Sequence, residues 1–144
     1  MMNYLLSYFG VGLYAPREMK TMSKKEINRV VTLTVWYCQH VLGVNSRKPI
    51  PKVKFFPKSD EGNYYGQYCP YDNEIHVFTD CVWKLGMLTS VIIHEYTHYL
   101  QPIKSKYYKL LKEHGYDNHP FEIEARDNER VHNRRVLDYI RKNF

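Results

Sequence analysis

The chain predicts an α+β fold: a small, roughly three-stranded sheet with an antiparallel edge strand, packed on a buried helix and backed by further helices. Three observations carry this expectation. Residues 82–100 repeat apolar side chains at helical spacing on almost every face. Two short runs, 64–69 and 73–78, the second alternating apolar and polar, lie just before them, and amphipathic helical patterns occupy both flanks. A length of 144 residues suits one domain with one core. Residues 1–144 are therefore read as a single domain, with 1–22 open to reading as an N-terminal extension or pro-segment.

The opening Met1 to Gly12 is apolar but lacks a basic n-region and a small-residue cleavage site, which argues against a signal peptide. Packing on the domain is favoured for it over lying across a cleft as an inhibitory segment. Ser23 is an N-cap for a helix carrying Ile27, Val30, Val31, Thr34, Val35, Cys38 and Val41 at helical spacing and ending near Gly43. Val53 to Phe56 forms a short strand between prolines. Tyr64 to Cys69 and Asn73 to Phe78 form an antiparallel pair joined by a turn, and the Asn73–Phe78 strand is read as the free edge. Thr79-Asp80 supplies the N-cap of the apolar helix, which Pro102 stops just after Gln101. A helix follows over Lys104–Glu113. Pro120 fits the first position of the last helix, with His119 or Asn118 near its cap, and that helix runs almost to Asn143.

The apolar helix contains His94-Glu95-Tyr96-Thr97-His98. Residues i and i+4 of a helix lie one above the other, so both imidazoles can converge on one metal ion, with Glu95 beside it as a proton acceptor. With 7 His and 9 Glu in 144 residues, the chance expectation of such a match is roughly 0.02. Two buried histidines also need partners, since an unpaired buried polar group costs about 1–3 kcal/mol. Core histidines bonded to carbonyls are the plain alternative, and metal coordination meets the same need.

A catalytic zinc site usually takes three protein ligands. The metzincin pattern fails, because Gln101 stands where Gly is required and Lys104 where the third His should be. The candidates are Glu122 and Glu124, on nearly opposite faces of the last helix. Glu122 falls at the capping-box position, with Arg126 at i+4 as an exposed ion-pair partner. Glu124 shares a stripe with Phe121, Asn128 and Val131 and precedes the small Ala125. Glu124 is therefore favoured as third ligand, with Glu122 the alternative.

His94, Glu95, His98 and Glu124-Ala125 resemble the gluzincins, HExxH zinc peptidases whose third ligand is a glutamate on a second helix. Size and layout are similar to their small single-domain members, the minigluzincins and related phage or bacterial peptidases. The resemblance covers about 50 residues, Asn73 to Asn128. It implies a zincin-like fold, one zinc ion per chain and peptide substrate laid along the edge strand Asn73–Phe78. It also implies an acid after the third ligand that orients His94, for which Asp127 or Asn128 is in place.

The activity expected is zinc-dependent peptide hydrolysis, with Glu95 as general base and Tyr116 as the donor opposing the metal; His114, His119 and His132 are weaker candidates for that donor. A non-catalytic zinc-stabilised binding protein, a hydrolase of cell-wall peptide amides and a DNA-associated protease would share these residues. Net charge is +6, and Arg47 to Lys58 holds five basic side chains and no acid, a strip that could attract acidic substrates. No nucleic-acid-binding signature accompanies it. No apolar stretch reaches the roughly 18 residues of a membrane span. Cys38, Cys69 and Cys81, odd in number and far apart, fit a reducing, cytoplasmic setting and neither a disulfide framework nor a deformylase site.

Overall fold

The computed structural model describes residues 17–144. It is a mixed α+β arrangement of four helices and one three-stranded sheet. Helix α1 spans Lys24–Val41, strands β1, β2 and β3 span Lys52–Phe56, Gly66–Cys69 and Glu74–Phe78, and helices α2, α3 and α4 span Leu85–Leu100, Ile103–His114 and Pro120–Asn143. The expectation for Met1 to Gly12 lies outside the described residues. Met19 and Met22 are buried in the core, so the end of the 1–22 segment is packed into the domain.

Helix α1 starts where its sequence says it should. Ser23 Oγ accepts from the Glu26 N–H at 3.1 Å, and the Glu26 carboxylate accepts from the Ser23 N–H at 3.0 Å, a reciprocal cap. Helix α2 does not begin at a Thr79-Asp80 cap. Those residues form a turn whose N–H groups bond to Phe56 and Pro57 carbonyls, and the helix begins at Leu85 without a side-chain cap. The Leu85 N–H is satisfied instead by the Arg17 carbonyl at 2.9 Å. A tertiary partner has replaced the local one.

The sheet order is β1-β3-β2, with β1 parallel and β2 antiparallel to β3. This corrects the reading of Asn73–Phe78 as a free edge: β3 is the central strand, flanked on both sides, and Asn73 lies before it in the left-handed region at φ 53°. The antiparallel edge strand is β2. The sequence marked β1 as a strand but not its neighbour, because parallel pairing is made across a long connection that leaves no local signal.

Ile75 and Val77 of β3 and Tyr68 of β2 point to the core, where they meet Val91, Ile92, Tyr96 and Tyr99 of α2. Gly66 lets β2 lie against that helix. A Cβ on it would stand 2.4 Å from Val91 Cγ1 and 2.9 Å from the His76 carbonyl oxygen. Helix α4 crosses α2 antiparallel, with Ala125 fully buried between them. Among the described residues no helix is long and apolar enough to cross a membrane, and all three cysteines are free.

Candidate metal centre

His94, Glu95 and His98 share one turn-and-a-bit of α2, are buried, and offer ligand atoms that all lie within 4.8 Å of one another. This group could hold a metal ion. Its nearest carboxylate, however, comes from α4. Glu122 Oε1 is 3.0 Å from His94 Nε2 and 3.3 Å from His98 Nε2, whereas the Glu95 carboxylate stands 3.9 Å from His94 Nε2. Donor atoms around one tetrahedral ion at about 2.0–2.1 Å are separated by roughly 3.3–3.4 Å. Glu122 thus stands at a spacing from each imidazole close to that of co-ligands, with Glu95 beside it.

The favoured Glu124 is on the wrong side. It is exposed and accepts from the Gln101 amide at 2.8 Å, with no hydrogen bond to either ring among the described residues. The buried stripe of α4 runs through Glu122, Ala125, Glu129, Asn133, Val136 and Ile140, and not through Glu124, Asn128 and Val131. The Glu122–Arg126 ion pair expected from i+4 spacing is also not made. Arg126 donates to the Asp117 carbonyl at 2.7 Å and lies over the Tyr116 ring, which frees Glu122 to turn inward.

The hydrogen-bond network fixes which nitrogens carry protons. Glu129 accepts from Ser90 Oγ and from His94 Nδ1, both at 2.7 Å, so Nδ1 is the protonated nitrogen of His94. The Gln101 amide nitrogen donates to the Phe121 carbonyl at 3.1 Å, which turns its oxygen toward His98 Nδ1 at 2.7 Å and makes that nitrogen the donor. With Nδ1 so engaged, each ring turns its Nε2 toward the Glu122 carboxylate, His94 to Oε1 at 3.0 Å and His98 to Oε2 at 3.2 Å and Oε1 at 3.3 Å. Two lone pairs and a carboxylate oxygen repel one another unless a cation, either protons or a metal ion, stands among them.

The electrostatics agree. Burial disfavours a positive charge on either ring, but Glu122, Glu129 and Glu95 outweigh it at His94, and Glu122 and Glu95 do so at His98, raising both pKa values. Burial acts the other way on Glu122, yet the two histidines and Tyr107 hold its carboxyl well below the usual carboxylate range. Glu95 is pushed up, first by burial, and accepts a hydrogen bond from the Tyr68 backbone of β2. A raised pKa suits a proton acceptor.

The acid that bonds His94 Nδ1 is Glu129, and not Asp127 or Asn128. Asp127 is exposed beside Arg130, and Asn128 donates to Thr97 Oγ1 at 3.0 Å. Glu129 escaped notice because the orienting residue was counted from Glu124; counted from Glu122 it lies two helical turns on. Gln101 and Tyr107 were also missed. The Tyr107 hydroxyl donates to Glu122 Oε2 at 2.6 Å, the oxygen that also lies 3.2 Å from His98 Nε2. The signal for Gln101 was its position three residues after His98; α3 carried none for Tyr107.

Tyr116 is half-exposed in the α3–α4 loop. Burial of its ring, then the charges of Glu122 and Glu95, raise its pKa, so its hydroxyl stays protonated near both carboxylates. Its neighbour Arg126 holds, at Nη1, the one buried side-chain polar atom without a hydrogen-bond partner among the described residues. The other proposed donors are elsewhere. His132 bonds Tyr37 of α1 at 2.9 Å, His114 is exposed beside Glu113, and His119 caps α4, accepting from the Phe121 N–H and donating to the Tyr107 carbonyl.

No family model matches this chain, and neither a curated protein nor a solved structure does. The functional reading therefore rests on the residues and their geometry.

Proposed function

We propose that this protein is a zinc metallopeptidase with a zincin-like fold, in which His94, His98 and Glu122 hold one zinc ion and Glu95 is the general base. The observation that carries the reading is the pair of imidazoles held at Nδ1 by Glu129 and Gln101, which turns both Nε2 atoms to one buried carboxylate, Glu122. Zinc is the fitting ion because two neutral imidazoles and one carboxylate are its ligands in catalytic sites, where it acidifies water and polarises a carbonyl.

Glu95 then takes the proton of the attacking water and delivers it to the leaving amine, a role for which a buried carboxyl with raised pKa is suited. Glu129 and Gln101 keep the rings in register, and Tyr107 holds the second oxygen of Glu122. Tyr116, protonated and half-exposed, is the donor for charge developing on the carbonyl oxygen. Extended substrate pairs main chain to main chain with the outer side of β2, whose Tyr68 touches Glu95, and not with β3.

The test is hydrolysis of an unfolded protein such as reduced casein by zinc-loaded chain, beside Glu95→Gln. Cleavage by the wild type and its loss in a variant that still binds one zinc is the expected result. Equal cleavage by both would remove Glu95 as the base, and no cleavage by either would leave the zinc without a peptidase role.

A further inference from the structure

We propose that His119 is a positioning residue for the third ligand: by holding Tyr107 beside the first turn of α4, it keeps the Glu122 carboxylate turned to His94 and His98. This rests on the reading of Glu122 as a metal ligand and adds a residue that supports it from α3. His119 is fully buried, and both of its ring nitrogens are engaged. Nδ1 accepts from the Phe121 N–H at 3.0 Å, so Nε2 carries the proton and donates to the Tyr107 carbonyl at 2.9 Å. One ring thereby joins α3 to the start of α4. The His119 carbonyl accepts from the Ile123 N–H at 2.9 Å, which opens the helix, and its own N–H donates to the Tyr116 carbonyl at 3.2 Å.

Capping alone does not call for an imidazole. Asn, Asp and Ser are the ordinary N-caps, and each meets a first-turn N–H with one short side chain. The imidazole does the same with Nδ1 and carries a second nitrogen on its far side, which bonds α3. It also lies against the Tyr107 ring, with centroids 4.2 Å apart and planes 30° apart. Tyr107 in turn donates to Glu122 Oε2 at 2.6 Å. Glu122 is thus held twice through His119. Its backbone stands in the turn that His119 caps, and its carboxylate is bonded by the tyrosine that His119 bonds and packs against. Fraying of that turn and rotation of the carboxylate are the two motions that would carry Glu122 away from the histidines, and one buried ring restrains both. A residue that orients a ligand in this way contributes about 10–100-fold in metal affinity.

The experiment measures zinc affinity by chelator competition for wild type, His119→Asn, Tyr107→Phe and the double variant, with folding followed by circular dichroism. Asparagine keeps an acceptor for the Phe121 N–H and removes both the bond to the Tyr107 carbonyl and the ring contact. His119→Asn should bind zinc roughly tenfold more weakly or worse while remaining folded, and Tyr107→Phe should do likewise. Added to Tyr107→Phe, the same His119 substitution should change affinity little, because the route to the carboxylate is already cut. Wild-type affinity in His119→Asn would make His119 a cap and nothing more, and equal fold-losses in the two backgrounds would make its effect one on the fold at large; either result overturns the positioning role. If His119→Asn did not fold, Tyr107→Phe alone would decide, since unchanged zinc affinity there removes the link from His119 to Glu122. Folded wild type that takes up no zinc would remove the metal reading and the positioning role together, whereas the other contrary results overturn the positioning role and leave the metal reading standing.

Discussion

The two sides of α2 are both buried, yet they are held by different physics. Toward α1 and the sheet, Leu88, Val91, Ile92 and Tyr96 pack among apolar neighbours and are fully excluded from water. Toward α4, Thr89, Ser90, His94, Thr97, His98 and Gln101 meet Asn133, Glu129, Asn128, Glu122 and the Phe121 carbonyl, polar group to polar group along the whole crossing. The apolar side depends on area and volume, so similar side chains can stand in for one another. The polar side depends on donors meeting acceptors, so removing one member strands its partner. A metal centre can be built only on the second kind of face, where each ring is fixed by a named residue behind it.

This contrast can be broken from either side. The largest effect is expected from Glu122→Ala, which leaves two buried imidazoles without their carboxylate. In metal-free protein the cost should be about 3–5 kcal/mol by denaturant unfolding, the range for breaking a buried pair, and zinc should no longer be retained. On the apolar side, Ile92→Ala should cost a comparable 2–5 kcal/mol through the cavity it leaves, yet the folded fraction should still carry one zinc. If Ile92→Ala also lost zinc while folded, the two sides would not be separable.

Gly66→Ala tests the close approach of β2 to α2. Its new Cβ meets Val91 Cγ1 and the His76 carbonyl, so a loss of about 1–3 kcal/mol is expected, with peptide cleavage reduced more than zinc content. The smallest change in stability should come from Glu129→Gln, which keeps the shape. It should weaken zinc affinity by roughly 10–100-fold, as expected for a residue orienting a ligand, when measured by chelator competition; an unchanged affinity would mean that Ser90 and packing alone hold His94.

Much of this was legible in the residues. The motif helix, its end at Gln101, the reciprocal cap at Ser23 and the start of α4 at Pro120 follow from local signals, and local contacts made them. The carboxylate that faces the two histidines is Glu122, the alternative, and not the favoured Glu124. Capping box and i+4 ion pair are local rules, and both marked Glu122 as a surface residue; what turned it inward was a tertiary demand, two histidines 24 and 28 residues away in sequence. The same holds for β3, placed centrally by a parallel partner, and for α2, whose first N–H is met by Arg17. The polar stripe Glu122–Glu129–Asn133 was readable only once the right register was chosen.

The most direct test of the account is the zinc content of purified wild type, Glu122→Ala and Glu124→Ala by elemental mass spectrometry after loading with the metal. About one zinc per chain in wild type and in Glu124→Ala, and little in folded Glu122→Ala, is the predicted result. Zinc kept by Glu122→Ala and lost by Glu124→Ala, or absent from folded wild type, would contradict it.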